Sequence, residues 1–280
     1  MEYVTLNNGI KMPILGYGVY QVSGEECERC VLDTISAGYR SIDTAQSYGN
    51  EDGVGRAIEK CGVPRKELFL TTKVWITNGG YENAKASLKE SLRKFRTEYI
   101  DLVLIHQPFN DYYGTYRAME EAYKEGWVHA IGVSNFYPDR LVDLCSFVEV
   151  KPAVNQAETH VFHQQKKAHE YMEKYGVQHE SWGPFAEGRK DFFANPVLTE
   201  IGKKYGKSSA QTALRFLIQS DVVVIPKSTH KERMIQNIDI FDFKLDEKDM
   251  ETIRVLDEEE SLFFSHYDPS VVEMMISLHR

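Results

Sequence analysis

The sequence predicts a (β/α)8 barrel because of its alternating pattern, the number of its strand-like segments and the lack of a dividing linker. Short apolar runs rich in β-branched residues alternate with segments whose apolar residues recur every three or four positions. Strands that alternate with helical segments are typical of βαβ units and a parallel sheet. Eight such units in 280 residues, with no Pro/Gly/Ser-rich linker, fit one barrel domain over residues 1–280.

The elements follow from this pattern in chain order. The eight predicted strands are 13–20, 39–43, 67–73, 99–106, 128–135, 152–156, 177–182 and 222–227. The clearest helices are 82–95, 114–126 and 209–220. An Asn-Gly pair between the short apolar stretches of 4–13 predicts an N-terminal β-hairpin. The segment after Leu256 breaks the alternation, which indicates a C-terminal loop that contacts substrate or caps the barrel.

Helix boundaries carry the expected residue types. Ser208 stands before one helix and Pro138 opens another, as is usual at helix starts. Gly126 and Gly176 follow helix ends, where glycine is favoured. Glu51 is expected to begin a helix rather than to touch substrate.

A doubly wound sheet is the alternative fold. Such sheets bind dinucleotides through a G-x-G-x-x-G turn after a strand. No such turn is found here, since residues 16–21 (GYGVYQ) fail the pattern at its third glycine, and a P-loop is also absent. The barrel is therefore favoured.

Composition restricts the class of protein. The formal net charge of −9 disfavours nucleic acid as a partner. No apolar stretch approaches the ~18–20 residues that span a bilayer, and the N-terminus does not resemble a signal peptide. A soluble cytoplasmic protein with no membrane partner is expected.

Cys27 and Cys30 form a C-x-x-C pair, but this spacing lies in an amphipathic helix pattern, so a shared helix face is favoured over redox chemistry.

Polar or aromatic residues stand where each predicted strand stops. Barrel enzymes build their sites at these carboxyl ends. In chain order these strand-end residues are Tyr17–Tyr20, Asp43, Lys73, His106, Ser134 and Asn135, Gln156, Trp182, and Lys227 with Ser228. Strands often become polar where they meet water, but that tendency does not predict a carboxylate, an ammonium, an imidazole and two carboxamides at one rim.

Three of these strand-end residues and one loop residue suggest a proton transfer. Tyr48 follows Asp43 on a loop, and Lys73 and His106 leave the next two strands, so all four are expected to be neighbours. A tyrosine is a poor acid near neutral pH, but an adjacent ammonium favours the phenolate and should lower its pKa. Asp43 would hold the lysine, and the histidine would orient a carbonyl oxygen. The set suits protonation of an oxyanion formed when a carbonyl is reduced.

The sequence resembles the aldo-keto reductase family in nine motifs that occur in the family's order over nearly the whole chain. They are GYG (16–18), DTAQSYGNE (43–51), TKVW (72–75), DLVLIHQP (101–108), IGVSNF (131–136), NQ (155–156), WGPFAEG (182–188), IPKS (225–228) and RMIQN (233–237). The subgroup that it resembles includes bacterial and protist 2,5-diketo-gluconate reductases and prostaglandin F synthase-like enzymes. The resemblance implies reversible reduction of aldehydes or ketones with NADPH.

The resemblance also implies roles for particular residues. The catalytic tetrad would be Asp43, Tyr48, Lys73 and His106. NADP would be bound by Gly18, Val19, Tyr20, Asp43, Ser134, Asn135, Gln156, Trp182, Gly183, Phe185, Lys227, Ser228, Arg233, Gln236 and Asn237. Substrate would meet Tyr20, Tyr48, Trp75, His106, Gln107 and Phe109. The tail residues Phe263, Phe264 and His266 could line the pocket or pack against the barrel, and both interpretations remain open.

The adenosine end has a rationale of its own. Residues 226–237 bring Lys227, Lys231 and Arg233 together in an otherwise acidic chain, and Ser228 could cap the following helix. Arginine suits bidentate contact with phosphate. The sequence therefore predicts a 2′-phosphate site here, with NADPH preferred over NADH.

Other classes of function are alternatives to this one. The histidines of HVFH (160–163) have no third ligand in register, so a surface loop is favoured over a metal site and no metal is expected. A sensory protein that binds NADPH without turnover and a metal-dependent barrel hydrolase are the rivals to the reductase. The physiological substrate is not predicted, and the protein is expected to act as a monomer.

Overall fold

The computed structural model describes residues 1–277 and consists of a parallel barrel preceded by a hairpin. In the hairpin, β1 (Tyr3–Thr5) pairs antiparallel with β2 (Lys11–Pro13). The barrel strands are β3 (Tyr17–Gly18), β4 (Ser41–Asp43), β5 (Phe69–Val74), β6 (Ile100–Ile105), β7 (Val128–Ser134), β8 (Val154–Glu158), β9 (Gln178–Trp182) and β10 (Val223–Val224). The eight-stranded barrel and the hairpin predicted from the sequence are both confirmed.

The first and last barrel strands meet through backbone hydrogen bonds. The amide of Gly16 donates to the carbonyl oxygen of Val224 at 2.8 Å, and the amide of Val224 donates to Ile14 at 3.0 Å. All neighbouring strands run parallel, so their carboxyl ends form one rim. That rim contains the polar strand-end residues identified in the sequence.

Helices pack around the strands and alternate with them along most of the chain. They are α1 (Gly24–Ser36), α2 (Glu51–Lys60), α3 (Tyr81–Phe95), α4 (Tyr112–Lys124), α5 (Pro138–Phe147), α6 (Lys166–Tyr175), α7 (Pro196–Tyr205), α8 (Ser209–Gln219), α9 (Lys231–Ile238), α10 (Glu247–Arg254) and α11 (Pro269–Ser277). No helix in residues 1–277 is long and apolar enough to cross a bilayer.

Side chains alternate between the barrel interior and the surrounding helices. On β9, His179 points toward α6, where its Nδ1 lies 3.0 Å from Nδ1 of His169. The next residue, Glu180, turns inward and is bonded to Gln156 of β8. This two-residue period carries selected polar groups into an otherwise apolar interior.

Close packing between strands restricts one position to glycine. A Cβ placed on Gly132 of β7 would lie 2.4 Å from the carbonyl oxygen of Val154 and 2.8 Å from a methyl carbon of Leu104. Both distances are shorter than van der Waals contact, so a larger residue would push the neighbouring strands apart.

Most predicted boundaries are confirmed, with two exceptions. Ser208 forms a capping box with Gln211, Pro138 opens α5, and Glu51 begins α2. The prediction that Ser228 caps the helix after it is wrong, because α9 begins at Lys231 and the Ser228 hydroxyl accepts from the amide of His230 instead. Helix α11 was not predicted, since it lies beyond the strand–helix alternation.

The C-terminal segment 257–268 crosses the rim between α10 and α11. Its attachment point is the Glu158 carboxylate at the end of β8, which accepts from the Leu262 amide at 2.8 Å and from the Ser261 hydroxyl. Further along, the amide of His266 donates to the hydroxyl of Tyr137 at 3.1 Å. The predicted C-terminal loop therefore lies over the barrel mouth.

Candidate active site

A buried ion pair lies at the carboxyl ends of β4 and β5. The ammonium of Lys73 is 2.5 Å from Oδ1 of Asp43 and also donates to the Thr44 carbonyl oxygen at 3.0 Å. The Lys73 side chain is 0% exposed and that of Asp43 is 3% exposed. Burial alone lowers the pKa of Lys73, but the neighbouring Asp43 and Tyr48 outweigh it and leave that pKa above its ordinary value. The ammonium is therefore charged at neutral pH.

Tyr48 ends a short 3-10 turn (Gln46–Tyr48) directly after this pair. The Lys73 ammonium lies 5.2 Å from the centre of the Tyr48 ring. The sequence predicted that this lysine would lower the phenol pKa, and Lys73 does act in that direction, but the sequence did not reveal the opposing effect of burial. Burial is the larger effect and raises the pKa of Tyr48 to about 12, although Lys73 does oppose it. The phenol is protonated at neutral pH.

His106 follows β6 and lies beside the phenol. The Tyr48 and His106 ring centres are 5.6 Å apart, and the Trp75 ring centre lies 4.8 Å from that of the imidazole. Nδ1 of His106 is 3.4 Å from the Ser47 hydroxyl. Burial, helped by the Lys73 charge, holds the pKa of His106 well below its ordinary value. The imidazole is therefore neutral.

Two amide side chains lie on the far side of the rim. Asn135 has left-handed backbone (φ 61) and donates through Nδ2 to the His106 carbonyl oxygen and to the Ser134 hydroxyl, both at 3.1 Å. Its Oδ1 accepts from the Trp182 indole N–H at 2.9 Å, which fixes the orientation of the amide. Ser134 in turn donates to the carbonyl oxygen of Gln156 at 2.9 Å. The structure thus joins these predicted residues in one network.

Gln156 connects that network to the ion pair across the barrel. Its Nε2 donates to Oδ2 of Asp43 and to Oε2 of Glu180, each at 2.9 Å. Glu180 is fully buried and was not predicted as a site residue, because it lies two residues before the end of β9. The sequence signal that could have revealed it is an acidic residue in the middle of a predicted barrel strand, since strands of a parallel sheet are normally buried on both faces.

The carboxyl end of β3 lies close to the backbone of residues 225–226. A Cβ on Gly18 would lie 3.0 Å from the carbonyl oxygen of Ile225, and the amide of Gly18 donates to Pro226 at 3.3 Å. The next residue, Val19, is buried and donates to the carbonyl oxygen of Asp43 at 3.0 Å. These contacts fix the backbone that leads to the rim.

An open cleft lies above the phenol. The Tyr20 ring, 51% exposed, lies 5.0 Å from the ring of Tyr48. The cleft is lined by Tyr20, Gln21, Val22, Ser23, Ser47, Tyr48, Trp75 and Thr77. Of the predicted substrate residues, Gln107 is buried, with an Oε1 that has no hydrogen-bond partner within residues 1–277. Phe109 is half-buried and packs on His266.

The predicted adenosine-phosphate residues follow β10 on the same rim. Lys227 and Arg233 are exposed, as is Gln236, whereas Ser228 and Asn237 are buried. The carbonyl oxygen of Ser228 accepts from the Tyr17 hydroxyl at 2.5 Å, which ties this segment to β3.

One of the cations in this region is already neutralised. The ammonium of Lys231 lies 3.2 Å from a carboxylate oxygen of Asp33 on α1. Lys227 and Arg233 therefore remain the two exposed cations on which the predicted phosphate site depends.

The loop after β9 contains Gly183 and Phe185. Gly183 has φ 64, and residues Ala186, Glu187, Lys190 and Asp191 also lie in the left-handed region. Such backbone costs free energy in residues other than glycine. Arg189 of this loop donates to the carbonyl oxygen of Leu262, and its guanidinium carbon lies 4.1 Å from the centre of the Phe263 ring. The loop is therefore bonded to the C-terminal segment.

The tail aromatics form a stack that begins at Trp182. Phe264 stacks on Trp182 at 5.6 Å, His266 stacks on Phe264 at 5.1 Å, and Tyr137 stacks on His266 at 5.1 Å. Burial lowers the pKa of His266 to about 4, so its imidazole is neutral. Phe264 and His266 therefore pack on one another and on Trp182 and Tyr137 at the rim.

Two sequence features outside the rim are structural. The HVFH segment is not a surface loop, because His160, Val161 and Phe162 are buried and His160 pairs with Glu158 at 3.1 Å. Within residues 1–277, no cluster of three or more His, Cys, Asp or Glu side chains could hold a metal. Cys27 is buried on α1, where burial raises its thiol pKa to about 12.

The chain belongs to the aldo/keto reductase family, whose model matches residues 14–258. Members of this family are oxidoreductases that reduce carbonyl compounds, and the chain is an enzyme of that class. The expectation drawn from the sequence motifs is thereby confirmed.

Similar proteins come from bacteria, a protist and an insect. The glyoxal reductase of Bacillus subtilis (strain 168) is 46% identical over 261 residues, which are 92% of this chain and 94% of that protein. The 9,11-endoperoxide prostaglandin H2 reductase of Trypanosoma cruzi (strain CL Brener) is 43% identical over 262 residues, 92% of this chain and 93% of that protein. A crystal structure of a Bombyx mori aldo-keto reductase in complex with NADP has a TM-score of 0.89 at 33% identity and covers 94% of this chain and 95% of that one.

Proposed function

We propose that the protein reduces aldehydes or ketones to alcohols with NADPH, and that Tyr48 is the proton donor. The observation that carries this proposal is the convergence of Tyr48, Lys73, Asp43 and His106 at the carboxyl ends of adjacent strands. NADPH, when bound, would supply the hydride to the carbonyl carbon. The residues of this chain hold the carbonyl oxygen and give it a proton.

Tyr48 is the acid because its hydroxyl is protonated at neutral pH and borders the cleft. As the carbonyl carbon is reduced, negative charge develops on the oxygen, and the phenol proton passes to it. The Lys73 ammonium stabilises the phenolate that remains. Asp43 holds Lys73 in place and offsets the cost of its burial.

His106 supports the same oxygen as a neutral hydrogen-bond donor. The Ser47 hydroxyl lies against Nδ1, so a tautomer with its proton on Nε2 can direct that N–H to the carbonyl oxygen. The low pKa of this imidazole keeps it from competing with Tyr48 as the acid at neutral pH. In this arrangement His106 orients the substrate and Tyr48 transfers the proton.

The residues around the rim fit a nicotinamide. The Trp182 ring offers an aromatic face, the hydroxyl of Ser134 lies in the same network, and the amide oxygens of Asn135 and Gln156 can accept from a carboxamide NH2. Gly18, Val19 and Tyr20 would support the cofactor on the β3 side, and Gly183 and Phe185 on the β9 side. Binding of NADP by the Bombyx mori relative supports this assignment.

NADPH is preferred over NADH in this proposal because of the exposed cations after β10. Lys227 and Arg233, with the buried Ser228, would bind the 2′-phosphate, and Gln236 and Asn237 would contact the adenine. The acidic remainder of the chain makes a local basic site necessary for an anionic ligand.

Small reactive aldehydes are the proposed substrates. Tyr20, Trp75, Gln107 and Phe109 would surround the carbonyl group beside Tyr48 and His106. The glyoxal reductase relative supports a small dicarbonyl as the first compound to test. We also propose that residues 1–280 act as one barrel domain and as a monomer, because the tetrad is complete within this barrel and needs no residue from a second copy.

A panel of carbonyl compounds with NADPH tests the proposal. Purified protein should oxidise NADPH in the presence of glyoxal and simple aldehydes, and light scattering after size exclusion should give the mass of one chain. NADPH binding without turnover of any compound in the panel would contradict the proposed catalysis and favour a sensory role.

A further inference from the structure

Glu180 is a fully buried carboxyl group beside the proposed catalytic residues. It lies in β9, in register with Val223 of β10, and is 0% exposed. Its Oε2 accepts from Gln156, whereas its Oε1 is buried and has no hydrogen-bond partner within residues 1–277. A carboxyl group buried with an unsatisfied oxygen reduces the stability of a protein, which indicates that this one has a function.

The amide group of Gln156 is oriented by two carboxyl groups. Asp43 and Glu180 lie on different strands, and each accepts from Nε2 of Gln156 at 2.9 Å. Both N–H groups of this amide are thereby used, so its carbonyl oxygen is the group left for a ligand. Turning the amide over would place that oxygen against the Asp43 carboxylate, which disfavours the alternative orientation.

The charges around Glu180 favour its neutral form. Asp43 faces it from β4 and Lys73 from β5, while β8 contributes the uncharged Gln156 and β10 the apolar Val223. The Lys73 ammonium pairs with Asp43, and its effect on Glu180 is smaller than the effects of burial and of Asp43. Burial, followed by repulsion from Asp43, raises the pKa of Glu180 to about 8. The side chain is mostly uncharged at neutral pH and ionises in mildly alkaline solution.

We infer that Glu180 is a positioning residue, which together with Asp43 holds the Gln156 amide in one orientation and thereby fixes the nicotinamide ring for hydride transfer. This inference rests on the proposed function. Glu180 touches neither substrate nor cofactor in this role and acts through Gln156. Once ionised, it also adds a negative charge behind the amide, which favours an oxidised, cationic ring over a reduced, neutral one.

Cofactor binding across a pH series tests the inference. The wild type is compared with Glu180→Gln, which retains an oxygen that can accept from Gln156 but cannot ionise, and with Glu180→Leu, which removes the acceptor. Glu120→Gln is the control, because Glu120 is another buried carboxylate, bonded to the amides of Glu149 and Val150 on the outside of the barrel. Dissociation constants for NADP+ and NADPH are measured from the quenching of tryptophan fluorescence between about pH 6.5 and 9.5.

In the wild type and in Glu120→Gln, the ratio of the NADPH dissociation constant to the NADP+ dissociation constant should rise by about three- to tenfold as the pH rises through the Glu180 pKa. In Glu180→Gln the ratio of the two dissociation constants should not change with pH. Glu180→Leu should weaken both cofactors and lower kcat by about tenfold or more, because Gln156 loses one of its two anchors.

An equal pH dependence of the ratio in the wild type and in Glu180→Gln would overturn the inference. Wild-type kinetics in Glu180→Leu would overturn it as well, and the result for Glu180→Gln decides the matter if the leucine variant does not fold. Absence of NADPH binding or turnover in the wild type would instead contradict the proposed function.

Discussion

The ammonium of Lys73 lies 2.5 Å from the carboxylate of Asp43 in a place where both side chains are almost completely shielded from water. Removing one partner of a buried ion pair leaves an uncompensated charge, which costs about 3–5 kcal/mol. We therefore expect Lys73→Met to lower the free energy of unfolding by roughly that amount. Urea denaturation monitored by circular dichroism measures it.

The double variant Asp43→Asn/Lys73→Met provides the control. It leaves no unpaired charge in the pair, so it should regain at least half of the lost stability while remaining inactive. If Lys73→Met is as stable as the wild type, the pair does not have the energetic role described here.

A second prediction concerns cofactor choice. Arg233→Ala should raise the KM for NADPH by about tenfold or more and leave the KM for NADH nearly unchanged, because only NADPH carries the 2′-phosphate. The matched control is Arg93→Ala, whose guanidinium is exposed on α3 and pairs with Glu90. An equal rise in the KM for NADPH and the KM for NADH in Arg233→Ala would show that Arg233 does not bind the 2′-phosphate.

A third prediction concerns the C-terminal segment. Glu158→Ala removes the acceptor of hydrogen bonds from His160, Ser261 and Leu262. The loss should destabilise the segment by about 1–3 kcal/mol. Limited proteolysis should then cut within 257–268 faster, and the KM for bulky aromatic aldehydes should change more than that for glyoxal.

The control for this prediction is Glu149→Ala, since Glu149 is an exposed carboxylate that pairs with Lys124 far from the rim. It should leave both the cleavage rate and the KM values unchanged. A cleavage rate in Glu158→Ala equal to that of the wild type would show that Glu158 does not hold the segment.

The pH dependence of stability is a fourth prediction. The pKa of Glu180 is raised from 4.5 to about 8, so the native state keeps a proton that the unfolded state loses over this interval. Stability contributed by this proton is present at acidic pH and is lost as the pH rises through the native pKa. Glu180→Gln cannot lose such a proton, so the Tm of this variant relative to that of the wild type should rise from about pH 5 to about pH 8 and level off above that. A constant difference in Tm would contradict the raised pKa.

The sequence predicted the barrel and the convergence of the tetrad because both depend on local patterns. Strand–helix alternation is visible along the chain, and parallel strands bring their carboxyl ends to one rim. Asp43, Lys73 and His106 could therefore be placed together without coordinates.

Other features depend on packing that a linear pattern does not contain. The raised pKa of Tyr48 results from burial, whose extent is set by the surrounding fold. Glu180 meets Asp43 through Gln156 across the barrel, a contact between strands that are not neighbours in the sheet. Ser228 was misassigned because the helix after it begins at Lys231, two residues later than a helix capped by Ser228 would begin.

The central claim is that Tyr48 donates the proton, and Tyr48→Phe tests it most directly. The substitution removes only the hydroxyl, so NADPH affinity and Tm should stay close to those of the wild type. The kcat for reduction of glyoxal with NADPH should fall by about a hundredfold to ten-thousandfold. A folded Tyr48→Phe protein that binds NADPH and reduces glyoxal at the wild-type rate would contradict the mechanism.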